Sequence, residues 1–233
     1  MIRTDDIQVI AFDADDTLWD CQSYFDGVEQ RLAELLEPYC AAPREELFKT
    51  ESANMADLGF GSKAFTISVI ETALRMGGDR LTAKQLQDLL DCCRGLLRLP
   101  ATPLPGVEPT LRRLRAQNRW QMVVFTKGEL LDQQNKLHRS GLADLFSHVE
   151  ITSNKTPQTF LRLCDLLRVA PRHWLMVGNS LRSDVAPALE VGAAAAYIPF
   201  HLTWQMEQTT DIQHDRLVQL KSFSDLLPLL GVS

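Results

Sequence analysis

Apolar residues follow two rhythms along this chain, and the change of rhythm divides it. Ile7-Gln8-Val9-Ile10-Ala11-Phe12 is a short apolar run that stops at acids. Such a run predicts a buried strand with charged groups at its C-terminal end. From about Trp19 to Leu99 the spacing turns helical: Leu32, Leu35, Leu36 and Tyr39, then Phe65, Val69, Ile70, Ala73 and Leu74, then Leu86, Leu89 and Leu90. Leu58-Gly59-Phe60-Gly61-Ser62 is a glycine-punctuated break between helices. Pro100, Pro103 and Pro105-Gly106 form a breaker cluster that marks a boundary.

Beyond that boundary, helix and strand signals alternate. Val107, Leu111 and Leu114 share one helix face, and Trp120 to Phe125 reads as a strand. A helix follows over about 129–139, with Gly141 placed to end it. Ser147 to Ile151 is a short strand, and Pro157 opens a helix carrying Phe160, Leu161, Cys164 and Leu167. His173 to Val177 is a strand, Ser183 to Glu190 a helix, and Ala194 to Ile198 a last strand. This alternation predicts an α/β fold with a parallel sheet. The expected organisation is a Rossmann-like core from residues 1–18 and 100–233, interrupted by an α-helical insert over 19–99. Ligands of such sheets bind at the carboxyl ends of the strands.

Composition narrows the function classes. The chain has 233 residues, 45% of them hydrophobic, and a formal net charge of −6. That is enough apolar material for a proper core, and an acidic surface argues against nucleic-acid partners. The five cysteines are odd in number and form no Cys-x-x-Cys, which predicts free thiols in a reducing cytoplasm. No leader pattern and no membrane-length apolar run is visible, so a soluble cytoplasmic protein is expected.

The chemistry gathers at predicted strand ends. Asp13-Ala14-Asp15-Asp16-Thr17 follows the first strand. Acids packed this closely repel one another unless a cation compensates, and hard oxygen ligands suit Mg²⁺. The plainer alternative is an acidic turn with Asp16 or Thr17 as a helix cap. Thr126-Lys127-Gly128 follows the second strand and offers a hydroxyl and backbone amides at a helix start, a cradle for phosphate. Lys155 precedes Pro157 at another helix start, where its point charge suits phosphate and the carboxylates. Gly178-Asn179-Ser180-Leu181-Arg182-Ser183-Asp184 follows the fourth strand and adds Asn179 and Asp184 as oxygen donors.

In order and setting, these residues resemble the four motifs of the haloacid dehalogenase-like (HAD) hydrolase superfamily. The resemblance covers roughly residues 7–18 and 104–199, and the insert resembles that superfamily's first type of helical cap. It implies Asp13 as the nucleophile that forms an aspartyl-phosphate, and Asp15 as the acid and then the base. It implies that Thr126 and its neighbours, Lys127 included, bind phosphoryl oxygens, while Lys155 neutralises charge. Asp13, Asp15 (through its backbone carbonyl as well) and Asp184 would hold Mg²⁺. Many members have an acid where this chain has Asn179, so weaker metal binding is expected here.

The implied activity is a Mg²⁺-dependent phosphatase of a small phosphorylated metabolite. A haloacid dehalogenase, a phosphomutase and a non-catalytic module share the fold. Asp15 favours the phosphatase over the dehalogenase, because an alkoxide leaving group needs a proton and a halide does not. Phosphoglycolate, sugar phosphates, nucleoside monophosphates and FMN all remain open as substrates, as do monomer and homodimer. In the insert, Lys63 or Phe60 of the 54–63 loop would touch the leaving group if the cap closes over the site, with an ordinary helix–helix connection as the alternative. Trp19 and Tyr24 are expected to pack, with the cap–core cleft as the alternative place for both, and Arg182 to be solvated or helix-paired, with substrate contact as its alternative.

Overall fold

The computed structural model describes residues 4–202, 204–207 and 209–232. Strand β1 (Val9–Phe12) is fully buried. Next come helices α1 (Gln22–Leu36), α2 (Pro43–Leu58), α3 (Ser62–Gly77) and α4 (Ala83–Leu96). The remainder alternates: α5 (Val107–Ala116), β2 (Gln121–Lys127), α6 (Leu130–Arg139), β3 (His148–Thr152), α7 (Pro157–Leu167) and β4 (Trp174–Gly178). A π-helical turn (Leu181–Val185) leads into α8 (Ala186–Glu190), β5 (Ala194–Tyr197), β6 (Leu217–Gln219) and α9 (Leu226–Leu229).

The described strands form one parallel sheet in the order β3-β2-β1-β4-β5-β6. The chain runs outward in one direction from β1 to β2 and β3, and in the other from β4 to β6. The reversal opens a crevice at the carboxyl end of β1, between its neighbours β2 and β4. Side chains alternate across the sheet as the pleat requires. Ile10, Phe12, Met122, Val124 and Val177 face the layer holding α5 and α9, where Phe12 packs between Phe146 and Phe223. Val9, Ala11, Val123, Phe125, Trp174 and Met176 face the other side, against Phe160 and Leu163 of α7 and Ala188 of α8. Local signals fix the helix starts. Thr82 and Gln85 form a reciprocal capping box on α4, and Thr156 and Thr159 do so on α7, where Pro157 fills the first turn.

Helices α1 to α4 have an apolar core of their own. Val28, Leu32 and Leu36 pack with Leu47, Phe65, Val69, Leu89, Cys93 and Leu96. Periodicity alone leaves α2 without an assigned face, because its apolar and polar residues spread round the helix and only Leu47, Thr50 and Glu51 are buried. The short β6 and α9 also escape a reading that ends at Ile198. All five cysteines are free thiols. Among the described residues, no helix is long and apolar enough to cross a membrane.

Candidate active site

Asp13 stands at the mouth of the crevice, where β1 ends. Its backbone N–H donates to the Val177 carbonyl (2.9 Å), which extends the β1–β4 ladder and fixes where the side chain leaves the sheet. Its carboxylate is buried. The Lys155 ammonium donates to Asp13 Oδ1, and the Thr17 hydroxyl donates to Oδ2 at 3.2 Å. Lys155 Nζ also donates to Asp184 Oδ1 at 2.5 Å. Burial alone would push the Lys155 pKa down, but the charges of Asp13 and Asp184 overcome it and raise it. Burial raises the Asp184 pKa against the pull of Lys155, with Asp13 adding to the rise. Two buried acids thus share one ammonium, an arrangement short of positive charge.

Asp184 reaches this point through backbone geometry. It lies in the π-helical turn, and its Oδ2 accepts the Ser180 N–H at 3.0 Å. It packs so tightly on Gly178 that a Cβ there would lie 2.1 Å from Asp184 Oδ2. A π-helical turn is itself a departure from regular helix that favours functional positions.

Asn179 stands beside the Asp13 and Asp15 oxygens, and its amide is satisfied with the nitrogen turned toward them. Its outward amide atom lies 3.3 Å from Asp13 Oδ2, 3.3 Å from the Asp15 backbone oxygen and 3.1 Å from the Thr17 hydroxyl. As a nitrogen it donates to those oxygens. Turned the other way, its oxygen accepts the Thr17 hydroxyl at 3.1 Å and would be a further oxygen ligand beside Asp13 and Asp15 for a cation. Among the described residues, no cluster of three His, Cys, Asp or Glu side chains is arranged for a metal. The available donors are mixed: the Asp13 and Asp184 carboxylates, the Asn179 amide and the Asp15 backbone oxygen. Carboxylate and carbonyl oxygens of this kind fit Mg²⁺.

The Asp15 side chain turns away from that point. It accepts from Trp19 Nε1 (2.8 Å), from Gln133 Nε2 (2.9 Å), and from Lys136 Nζ at 2.9 and 2.8 Å on its two oxygens. Burial would raise its pKa, but the Lys136 charge and the hydrogen bonds from Lys136, Trp19 and Gln133 lower it. What Asp15 offers a cation is its backbone oxygen. The carboxylate lines the cavity beside Asp13.

Thr126 is buried at the end of β2, where its hydroxyl accepts from Gln133 Nε2 at 3.3 Å and keeps its own proton to donate. Lys127, expected at the phosphate, is committed elsewhere. Its ammonium pairs with Glu207, donates to Ser183 Oγ at 3.0 Å and sits 4.0 Å above the Phe60 ring. Ser180 and Ser183 hydroxyls also donate to Glu207, and Lys127 with these two overcomes burial to lower the Glu207 pKa. Lys63, expected at the leaving group, is exposed and not part of the cavity lining, and it pairs with Glu129, which is. Asp16 is a cap, as the plainer alternative had it: its carboxylate accepts the Cys21 and Gln22 N–H groups, both at 2.8 Å, at the start of α1. Trp19 is fully buried, but its indole serves Asp15 as well as packing, while Tyr24 is exposed. Arg182 donates to the Met206 carbonyl (2.5 Å) rather than pairing along its helix.

A cavity of about 160 Å³ extends from Asp13 toward α1–α3. Its far walls are Phe25, Met55, Phe60, Phe65, Leu202 and Trp204, with Glu29, Glu51 and Asn54 among them. Burial, with the Glu29 charge adding, pushes the Glu51 carboxyl up to about 8, against a hydrogen bond from the Trp204 side chain.

Gln133, Lys136, Glu207, Glu51 and Trp204 were not singled out in the sequence. Only the first two left a trace there: polar residues at helical spacing on a helix whose leucines, Leu130 and Leu131, face outward.

Residues 7–192 match the family model for haloacid dehalogenase-like hydrolases. The chain is similar over its length to a haloacid dehalogenase-like family hydrolase from Xanthomonas campestris, at 31% identity, with a TM-score of 0.85 over 96% of this chain and 91% of that one. It shares its fold with a putative HAD-hydrolase, YfnB, from Bacillus subtilis, described as bound to magnesium, at 15% identity, with a TM-score of 0.68 over 97% and 99% of the two chains. A stretch of 102 residues is 29% identical to the glyceraldehyde 3-phosphate phosphatase of Pyrococcus furiosus and spans 42% of each chain.

Proposed function

This chain belongs to the haloacid dehalogenase-like hydrolases, and within that family we propose that it is a Mg²⁺-dependent phosphatase of a small phosphorylated metabolite. One observation carries the reading. The Asp13 carboxylate, gripped by Lys155 and Thr17, shares its cavity with a second carboxylate, Asp15, that points to its own set of donors. A nucleophile with a separate proton-handling group suits an ester with an alkoxide leaving group. A halide would give Asp15 nothing to do.

The reaction follows from these placements. Asp13 attacks phosphorus and the ester oxygen departs, leaving an aspartyl-phosphate. Thr126 donates to a phosphoryl oxygen, and Lys155 offsets charge on the nucleophile and the phosphoryl group. Asp15, held by the Lys136 ammonium on both of its oxygens, gives a proton to the leaving oxygen and then takes one from the water that attacks the aspartyl-phosphate, which breaks the bond to Asp13 and releases phosphate. Asp13, Asp184, Asn179 and the Asp15 backbone oxygen would hold Mg²⁺, which would supply positive charge against the phosphoryl oxygens. Helices α1–α4 act as a cap that excludes water. A phosphatase as a partial relative and a magnesium-bound fold neighbour support this reading. Five free thiols suit a reducing compartment such as the cytoplasm.

Phosphate release from p-nitrophenyl phosphate tests it. Asp13→Asn should lose at least ~10⁴-fold in kcat with an unchanged circular dichroism spectrum. EDTA should stop turnover and Mg²⁺ should restore it. Activity that survives either treatment sinks the proposal.

A further inference from the structure

Resting on that phosphatase reading, we propose that Asp132 is a positioning residue for the acid/base Asp15, acting through Lys136, and that Ser62 of the helical cap holds Asp132 in that role.

Asp132 and Lys136 stand one turn apart on α6 and share a face of that helix. Both are buried, with Asp132 Oδ2 3.6 Å from Lys136 Nζ. The same ammonium is bonded to both Asp15 oxygens, at 2.9 and 2.8 Å. Lys136 therefore lies between two carboxylates, and only one of them handles the proton. In the proposed reaction Asp15 gives and takes a proton in every turnover, so its charge alternates. A buried ammonium without a counter-charge is costly. Asp132 keeps a carboxylate beside Lys136 at every stage, and so keeps the ammonium where Asp15 needs it.

A contact from the cap completes the arrangement. Ser62, the first residue of α3, is fully buried and donates its hydroxyl to that same Asp132 Oδ2 at 2.9 Å. Asp132 Oδ1 has no hydrogen-bond partner, so Oδ2 alone carries both the cap contact and the lysine contact. A line of side chains thus runs from the cap to the acid/base: Ser62, Asp132, Lys136, Asp15. Gln133, the next residue of α6, steadies the far end of that line, donating to Asp15 Oδ2 at 2.9 Å and to the Lys127 carbonyl at 2.8 Å. With the cap lifted, water would replace the Ser62 hydroxyl and weaken the attraction between Asp132 and Lys136. Proton transfer by Asp15 is then best arranged when the cap is down.

Leaving-group dependence tests this. Phenol is a weaker acid than p-nitrophenol, so phenyl phosphate depends more on a proton from Asp15 than p-nitrophenyl phosphate does. The measurement is kcat/KM for both esters, with the full chain and Mg²⁺ at one pH. Asp132→Asn keeps the side-chain shape and an acceptor for Ser62 but removes the charge. It should lose ~10-fold or more on phenyl phosphate and only ~2-fold on p-nitrophenyl phosphate, a ~5-fold change in their ratio. Ser62→Ala should move the ratio the same way by ~3-fold, and it decides the matter if Asp132→Asn does not fold. A ratio that stays at the wild-type value in a folded variant, whether or not both rates fall, overturns the inference and keeps the phosphatase reading. Asp132 and Ser62 would then only dock the cap. If the wild type hydrolyses neither ester, both fall.

Discussion

Glu51 shows how a single buried acid makes stability depend on pH. Its folded-state pKa of about 8 stands above the ordinary 4.5 because burial penalises its charge and Glu29 repels it. The folded protein therefore holds a proton that the unfolded chain releases. Stability falls as pH rises from about 4.5 and stops falling near pH 8, when the folded form has lost the proton too. Glu51→Gln removes this dependence. Its melting temperature should match the wild type near pH 4.5 and exceed it above pH 8, by on the order of 1–3 kcal/mol of stability. Thermal melts across that range check it, and a gain that is flat with pH would mean the acid is not buried as described. Asp16 reads the other way. It stands between Asp15 and Thr17 at φ 63°, yet its carboxylate, which accepts two backbone N–H groups, caps the start of α1.

Helix α6 carries its polarity inside out. Leu130 and Leu131 are each 61% exposed, whereas Asp132, Gln133 and Lys136 are buried. Hydrophobic spacing places a helix there but points it the wrong way, since the buried polar face is stabilised by Asp15, Ser62 and Thr126 rather than by apolar contact. The link from β4 to its π-helical turn is equally specific. Gly178 is required by distance and not by its backbone angle, because the space of a Cβ is filled by the Asp184 carboxylate. Gly178→Ala should displace Asp184 and cost about 10²-fold in kcat, the usual penalty for misplacing an active-site group by an ångström. Its circular dichroism should be unchanged, and near-normal kcat would show that Asp184 contributes little.

The helical layer docks on the core through Gly59–Gly61 and the first residues of α3. Ser62 Oγ donates to Asp132 Oδ2 at 2.9 Å, Lys63 N–H donates to Glu129 Oε1 at 3.2 Å, and Phe60 meets Trp204 with ring centres 5.8 Å apart. Gly61 makes this approach possible. Its φ is 124°, and a Cβ would lie 3.2 Å from Glu129 Cγ. Gly61→Ala should loosen the closed arrangement and raise KM about 10-fold with kcat less affected. Steady-state kinetics reads this, and an unchanged KM would mean that closure does not limit binding. The neighbouring Lys63–Glu129 pair is too exposed to matter as much, since such pairs contribute about 0.2–1 kcal/mol.

Helix and strand periodicity, breaker residues and the acids at strand ends determined by themselves that this chain would build a parallel sheet with a helical insert, and where its chemistry would gather. Those are local properties: burial pattern, turn chemistry and strand polarity act over a few residues. Short β6, unpatterned α2 and the inverted face of α6 lie outside that reach, because only neighbours distant in sequence make them stable. Tertiary structure alone decided that Lys127 would answer Glu207 across 80 positions and Lys136 would reach Asp15 across 121. It also decided that, among the described residues, the deep end of the cavity would be lined by Glu29 and Glu51 and by no lysine or arginine. Pairing of charges depends on distance through space, and a linear pattern carries no record of it.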